Sequence, residues 1–287
     1  TVTAVTADGA ESACAAPVVW PKMEQVRLGL VRPIGAAIGP DGAIYVVDHH
    51  IGTIFAVDAK GDLRNFADTA LIGSGLVSGI TVTPDNRIFT VGERSGVTEV
   101  DAKDGRIRRH FAIPAKGKAS HPYAIASDPK GRLYISERES KTIQICDTDG
   151  KLLSTHDPGF GDNRGLAVTT LGGKLLLAVA DSAKRCVWVS ELDDATLRVL
   201  DTEKIGDERI PLCTAFDAEG RLYVGTQSGI DRLEAGKRTG HWQSQFNAKG
   251  HQVWGVAIRG DLLICSEGSD NEKHWMRATL SDFKPTQ

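Results

Sequence analysis

One sentence recurs six times along the chain. "RPIGAAIGPDGAIYVVDHH" starts at Arg32, "LVSGITVTPDNRIFTVGER" at Leu76 and "HPYAIASDPKGRLYISERE" at His121. "NRGLAVTTLGGKLLLAVADS" follows at Asn163, "IPLCTAFDAEGRLYVGTQS" at Ile210 and "QVWGVAIRGDLLICSEGS" at Gln252. The copies begin 42–47 residues apart. A repeat of this length is one supersecondary unit that cannot bury its apolar faces alone, so neighbouring copies must stack.

Each copy reads as short strands. A run of small residues such as "YAIAS" leads into a turn dipeptide: Asp41-Gly42, Asp85-Asn86, Lys130-Gly131, Gly172-Gly173, Glu219-Gly220 or Gly260-Asp261. These pairs tolerate positive φ, as tight hairpins require. An alternating run ("RLYIS") and a third run ("KTIQICD") follow. A second turn at Lys60-Gly61, Asp104-Gly105, Asp149-Gly150 or Ala235-Gly236 leads to a fourth run such as "KLLSTH". Period-2 alternation rich in β-branched residues predicts strands, and no amphipathic helical stretch interrupts them. Four strands in each of six copies predict an all-β, six-bladed β-propeller.

The sixth copy tests this reading, because an open ring leaves strand edges unpaired. After "HWMRATL" only "SDFKPTQ" remains, too little for a fourth strand. The segment from Glu24 to Val31, "EQVRLGLV", resembles the fourth strands elsewhere and is expected to complete the last blade. The expected organisation is a tail over residues 1–23 and one propeller domain over 24–287. A net charge of −3 supplies no global attraction to nucleic acid or anionic lipid. No apolar run approaches the ~18 residues of a membrane span. The chain opens at Thr1 rather than Met, so removal of a signal peptide and export to a periplasmic or secreted location are expected, with a cytoplasmic location left open. Five scattered cysteines are too few for a disulfide scaffold. Cys146, Cys186 and Cys265 read as small buried hydrophobes, Cys213 lies in a channel-lining run, and Cys14 sits in the tail.

The third copy carries the pattern Pro, small residue, apolar–Ala–apolar, Asp, Gly, aromatic, terminal acid. It resembles an NHL-type repeat. The wider resemblance is to the six-bladed propellers of the gluconolactonase, strictosidine synthase, peptidyl-hydroxyglycine lyase and streptogramin B lyase group, and it runs from Glu24 to the C-terminus. It implies a ligand site at the channel mouth, where first strands start and second strands end. Residues of this sequence at those places include Arg32, His121, Tyr123, Arg164, His251 and Trp254, and His49, Glu93, Glu137, Arg138, Gln227 and Glu267. Aligned by counting, the second strands end on Asp48, Gly92, Glu137, Asp181, Thr226 and Ser266, which places Glu93 and Glu267 one residue beyond the usual acid.

Each candidate has a plainer reading. An acid at a strand end commonly accepts backbone N–H bonds from the next loop. A histidine ahead of a strand is an ordinary polar residue. Adjacent residues on an extended chain face opposite ways, so only one of His49 and His50 can face the channel. His110, His156, His241 and His274 fall on outer strands or loops and are expected to face solvent.

The resemblance implies three kinds of chemistry. Peptidyl-hydroxyglycine lyases hold zinc with imidazoles from separate blades, which points to His121, His251 and His49 or His50, with Glu137 as a further donor. Gluconolactonases hold a divalent ion with acidic and amide groups, but Arg32 stands where their first glutamate would lie. Streptogramin lyases pair a His with a Glu for proton removal, which His251 and Glu267 resemble. The expected function is a lyase or hydrolase with His/Glu acid–base chemistry, assisted by one zinc, magnesium or calcium ion. Tyr123 and Arg164 join His251 and Glu267 as catalytic candidates, and Arg32, Glu93, Arg138, Trp254 and Gln227 are substrate-binding candidates. A metal-free cyclase or isomerase and a protein-binding propeller stay open. The expected partner is a small-molecule substrate, with no nucleic acid and a monomeric state. GxSxG and phosphate-loop motifs are absent.

Overall fold

The computed structural model describes residues 24–26, 30, 32–58, 61–69, 76–92, 96–113, 120–206, 209–243, 252–268 and 273–280. Strands there form six four-stranded antiparallel sheets, one per sequence repeat. Each sheet is a blade, and the inner strands span Pro33–Ile38, Val77–Val82, Pro122–Ser127, Asn163–Leu171, Pro211–Phe216 and Gln252–Arg259. Neighbouring inner strands touch all the way round, including blade 1 against blade 6. Strand Glu24–Val26 pairs with Lys273–Thr279 and is the outer strand of blade 6, as the sequence predicts. Every sheet edge that a missing strand would expose there is thereby paired. The first hairpin of every blade carries positive φ at the predicted dipeptide.

Ring closure forces the inner strands together at the axis. At one shared position these strands carry Gly35, Gly79, Ala124, Gly165, Cys213 and Gly255. A Cβ on Gly165 would stand 2.4 Å from the Cys213 Cα, and one on Gly79 would stand 2.9 Å from the Tyr123 carbonyl oxygen. One on Gly255 would stand 2.9 Å from the Ile34 carbonyl oxygen. These contacts are with backbone, which cannot swing aside, so the small residues are what the inward convergence requires.

Between blades the core is apolar and close-packed. Three residues before the end of the second strand, blades 1, 2, 3 and 5 carry Tyr45, Phe89, Tyr134 and Tyr223. All are buried and each packs against the following blade. Each such side chain contributes roughly 1.5–3 kcal/mol by burial. Blade 6 has Ile264 there and blade 4 only Ala178.

The inner ring generates a prediction. Gly165→Ala is expected to destabilise by about 1–3 kcal/mol through overpacking against Cys213. Gly206→Ala, at an open outer position, should change stability by less than about 0.5 kcal/mol. Urea unfolding of both variants would measure this, and equal midpoints would refute the crowding at the axis.

Candidate functional site

In every blade the first strand carries one residue more than the second at the same place, and in blade 3 Tyr123 and Ala124 stand opposite Ser136. The inserted residues are Ile34, Ser78, Tyr123, Arg164, Leu212 and Trp254. In blade 3 the hydroxyl of Ser136 accepts the Ala124 N–H that the bulge displaces. A bulge bends its strand and re-aims a side chain, which is why bulges recur beside functional sites. Here all six sit at the mouth-side start of the inner strands. The ring is therefore a repeated scaffold carrying six unlike side chains. Ile34, Ser78 and Leu212 are buried, whereas Tyr123, Arg164 and Trp254 are half-buried. Below them residues of all six blades leave about 70 Å³ at the axis. Small-molecule sites occupy several hundred, so a substrate fits across the mouth but not down the channel. The Ser78 and Thr214 hydroxyls line that space and make no hydrogen bond among the described residues.

The mouth is rich in guanidinium groups. Arg138 and Arg164 share one carboxylate: their Nε atoms donate to Asp162 Oδ1 at 2.8 Å and Oδ2 at 2.7 Å. Ser182 also donates to Asp162, at 2.7 Å. Burial would raise the Asp162 carboxyl, but these bonds and the two positive charges hold it below the ordinary value. The Arg138 guanidinium lies 5.0 Å from the Tyr123 ring centre, and that of Arg32 lies 5.4 Å from the Trp254 ring centre. Burial raises the Tyr123 hydroxyl pKa, against the pull of Arg164, Arg138 and Arg32, and the phenol stays protonated. Three guanidiniums thus face one tyrosine with one carboxylate, Asp162, placed to offset them. The Nη donors of Arg138 and Arg164 bond no described residue. A guanidinium carries five donors in a rigid fork, so both forks have capacity for an anion.

The acids at the second-strand ends serve the loops. Asp48 accepts the backbone N–H groups of Arg32 and His50 at 3.0 Å each. Burial would raise Glu137, but bonds from Ser140 and the His121 and Glu139 backbone hold it low. Burial would likewise raise Asp181, and N–H groups of Gly161, Asp162, Lys184 and the Trp188 indole outweigh it. Strand register corrects one alignment. Glu267 pairs with Val253 as Asp48 pairs with Pro33 and Glu137 with Pro122, so Glu267, not Ser266, occupies the repeat's acid position. It is fully buried, and burial pushes its carboxyl up to about 8. Glu267 therefore holds a proton at neutral pH.

The remaining candidates are spread around the ring. His121 is half-buried ahead of blade 3, and Gln227 is exposed at the end of the second strand of blade 5. His49 is buried, its Nδ1 donating to the Val77 carbonyl at 2.9 Å. His251 and Glu93 lie outside the described residues. No group of three or more His, Cys, Asp or Glu converges as a metal site among the described residues. Glu137 is bound to backbone N–H groups, and the described donors assemble no set that fits the expected divalent ion. Two outer histidines correct the solvent-facing expectation. His156 is buried between blades 3 and 4, with Nε2 3.0 Å from Ser190 Oγ, and burial lowers its pKa. His241 Nδ1 sits 2.6 Å from the buried Asp231 carboxylate. Cys213 is a buried thiol whose pKa burial pushes to about 12, so it is no nucleophile at neutral pH.

No protein-family profile matches the sequence. Solved structures resemble the chain across nearly its whole length. A gluconolactonase from Xanthomonas campestris is 13% identical with a TM-score of 0.71, covering 93% of this chain and 98% of its own. A luciferin-regenerating enzyme is 18% identical with a TM-score of 0.72, over 90% and 95% of the two chains. A catalytically inactive virginiamycin B lyase from Staphylococcus aureus, solved with quinupristin, is 14% identical with a TM-score of 0.63, over 89% and 98%. At these identities the likeness is one of fold.

Glu267 generates a pH prediction. Its carboxyl titrates near 8 when folded and near 4.5 ordinarily. Between those values the folded chain holds a proton that the unfolded chain has lost, so stability falls as pH rises through that window. Glu267→Gln should flatten this fall and raise stability relative to wild type at about pH 9. Thermal melts between about pH 5 and 9 test it; parallel curves for the two proteins would overturn the assignment.

Proposed function

We propose that the chain is an enzyme acting on a small molecule at the channel mouth, a lyase or hydrolase whose substrate carries a carboxylate or develops an oxyanion. One observation carries this reading: the positive charges of Arg164, Arg138 and Arg32 all act on the Tyr123 hydroxyl, and the Nη forks of Arg138 and Arg164 are uncommitted. When water adds to an ester, or a base removes a proton beside a carbonyl, negative charge grows on the carbonyl oxygen. Fixed cations already aimed at that oxygen stabilise it without reorganising, commonly the largest single contribution to such catalysis. Asp162 fixes Arg138 and Arg164 by their Nε atoms and leaves the forks for the substrate. Tyr123, kept protonated, is a proton donor beside them. Trp254 under Arg32 supplies an apolar wall for the substrate body.

The proton acceptor is assigned to a histidine ahead of an inner strand, His251 or His121, because an imidazole accepts a proton near neutral pH. Glu267, buried and protonated, acts through its neighbours as a positioning residue. No step is routed through a metal ion. The same mouth serves a metal-independent isomerase equally well up to the point of bond cleavage.

The test is a turnover screen of lactones, aryl esters and β-acyloxy carbonyl compounds, each as a carboxylate-bearing and a neutral member. Turnover should favour the carboxylate-bearing members. Arg164→Met should lower kcat/KM by about 10²-fold or more with an unchanged melt. His251→Ala should abolish turnover without loss of stability, and unchanged turnover would pass the role to His121. Equal turnover of neutral and anionic members would overturn the electrostatic reading. Carboxylate binding at the mouth with no turnover in any class would make the chain a binding propeller.

A further inference from the structure

The face opposite the mouth carries a second cavity that the channel chemistry does not use. It lies between blades 4 and 5, has a volume of about 540 Å³, and is lined by the inner-strand end Leu171 and the hairpin turn Glu219-Gly220. Two departures from the repeat accompany it. Blade 4 carries Ala178 where blades 1, 2, 3 and 5 carry an aromatic that packs against the next blade. Blade 4 is also longer. Its inner strand Asn163–Leu171 has nine residues, against six in Pro211–Phe216 of blade 5. At about 3.3 Å per residue the excess projects roughly 10 Å past its neighbour. The core between these blades therefore opens to the surface. Buried Leu222 and Leu233 and half-buried Val189, Ile205 and Phe216 line the cavity and belong to the same cluster as Ala178. Leu171, at its lip, is 38% exposed. The volume falls within the range of small-molecule sites, which are largely apolar with a few placed polar groups.

The polar groups here are acidic. Glu203, Glu219 and Glu234 stand at the rim with one cation, Arg221. Arg221 is held by Glu219 at 2.8 Å and by Asp217, and Glu234 lies 3.4 Å from Arg232. Glu203 makes no ion pair among the described residues. Gly236, which also lines the cavity, lets the Glu203 carboxylate lie against its turn, since a Cβ there would stand 2.6 Å from Oε1.

We propose that this cavity binds a small apolar molecule bearing one positive charge, an aryl- or alkylammonium, with its body against Phe216, Val189 and Leu233 and its charge beside Glu203. The apolar wall selects for the body and the acidic rim selects for the charge. The site is separate from the mouth, which is cationic and selects the opposite sign.

Isothermal titration of the whole chain with 4-phenylbutylammonium, 4-phenylbutanol and 4-phenylbutanoate tests this. The ammonium should bind most tightly. Glu203→Gln, an exposed change that leaves the fold alone, should weaken the ammonium about fivefold and leave the alcohol unchanged. Val189→Phe should remove both by filling the cavity, and Arg164→Met should change neither. Equal affinity of ammonium and alcohol in the wild type overturns the charge selection. Binding that survives a folded Val189→Phe, or no binding at millimolar ligand, overturns the site. Should Val189→Phe fail to fold, the Glu203→Gln comparison still decides.

Discussion

The close approach of six inner strands around one axis is the constraint on which the rest of the structure depends. Backbone meets backbone there, with Gly165 against Cys213 and Gly255 against Ile34 and Gly35. Only small residues satisfy that distance, so the innermost layer can carry almost no chemistry itself. One residue earlier, each inner strand carries one residue more than its partner. The two features are complementary. Glycine lets the strands converge, and the bulge beside it swings a full-sized side chain to the rim. Tyr123, Arg164 and Trp254 reach the mouth by that one device.

Placing charge at such a rim has a cost, and the structure meets it with paired groups. Asp48, Glu137 and Asp181 are buried, yet each binds several backbone N–H groups, so each ties a loop to its blade. Charge-assisted bonds of this kind are worth more than neutral ones. Glu267 occupies the same place in blade 6, where burial pushes its carboxyl up to about 8. One repeat position thus holds two kinds of carboxyl, divided by environment and not by residue type. The arginines divide similarly. Nε on Asp162 provides orientation, and the outer fork keeps its binding capacity.

The ring is equivalent in backbone and unequal in side chains, and its two faces differ as a result. At the mouth the bulged Arg164 joins Arg32 and Arg138 to concentrate positive charge beside Tyr123 and Trp254. On the opposite face, the core between blades 4 and 5, where Ala178 stands in place of an aromatic, opens among glutamates. Neither face requires a new fold element. Both arise from substitution at positions that every blade possesses, because a repeat scaffold tolerates change wherever the ring contacts are kept.

Blade number, turn positions and the N-terminal strand that closes blade 6 were legible in the sequence. They rest on local rules: alternation, φ-permissive dipeptides and a count of strands left over. Tyr123, Arg164 and Trp254 could be picked out as strand-start residues for the same reason. Asp162 was not picked out, although it lies two residues before Arg164, because its partner Arg138 comes from another blade. The acid position of blade 6 is not legible by counting, because its first hairpin is one residue shorter than that of blade 1, and only strand register places Glu267 there. His156 reads as an outer-strand residue and is buried because Phe160 packs edge-on against it and blade 4 brings Ser190 within hydrogen-bond reach. The sequence by itself determined the architecture, since each blade is specified by contacts within about forty residues. Only the tertiary structure decided protonation, charge pairing and cavity. Those depend on which side chains two blades bring within a few ångströms of each other, and on the water that this approach excludes.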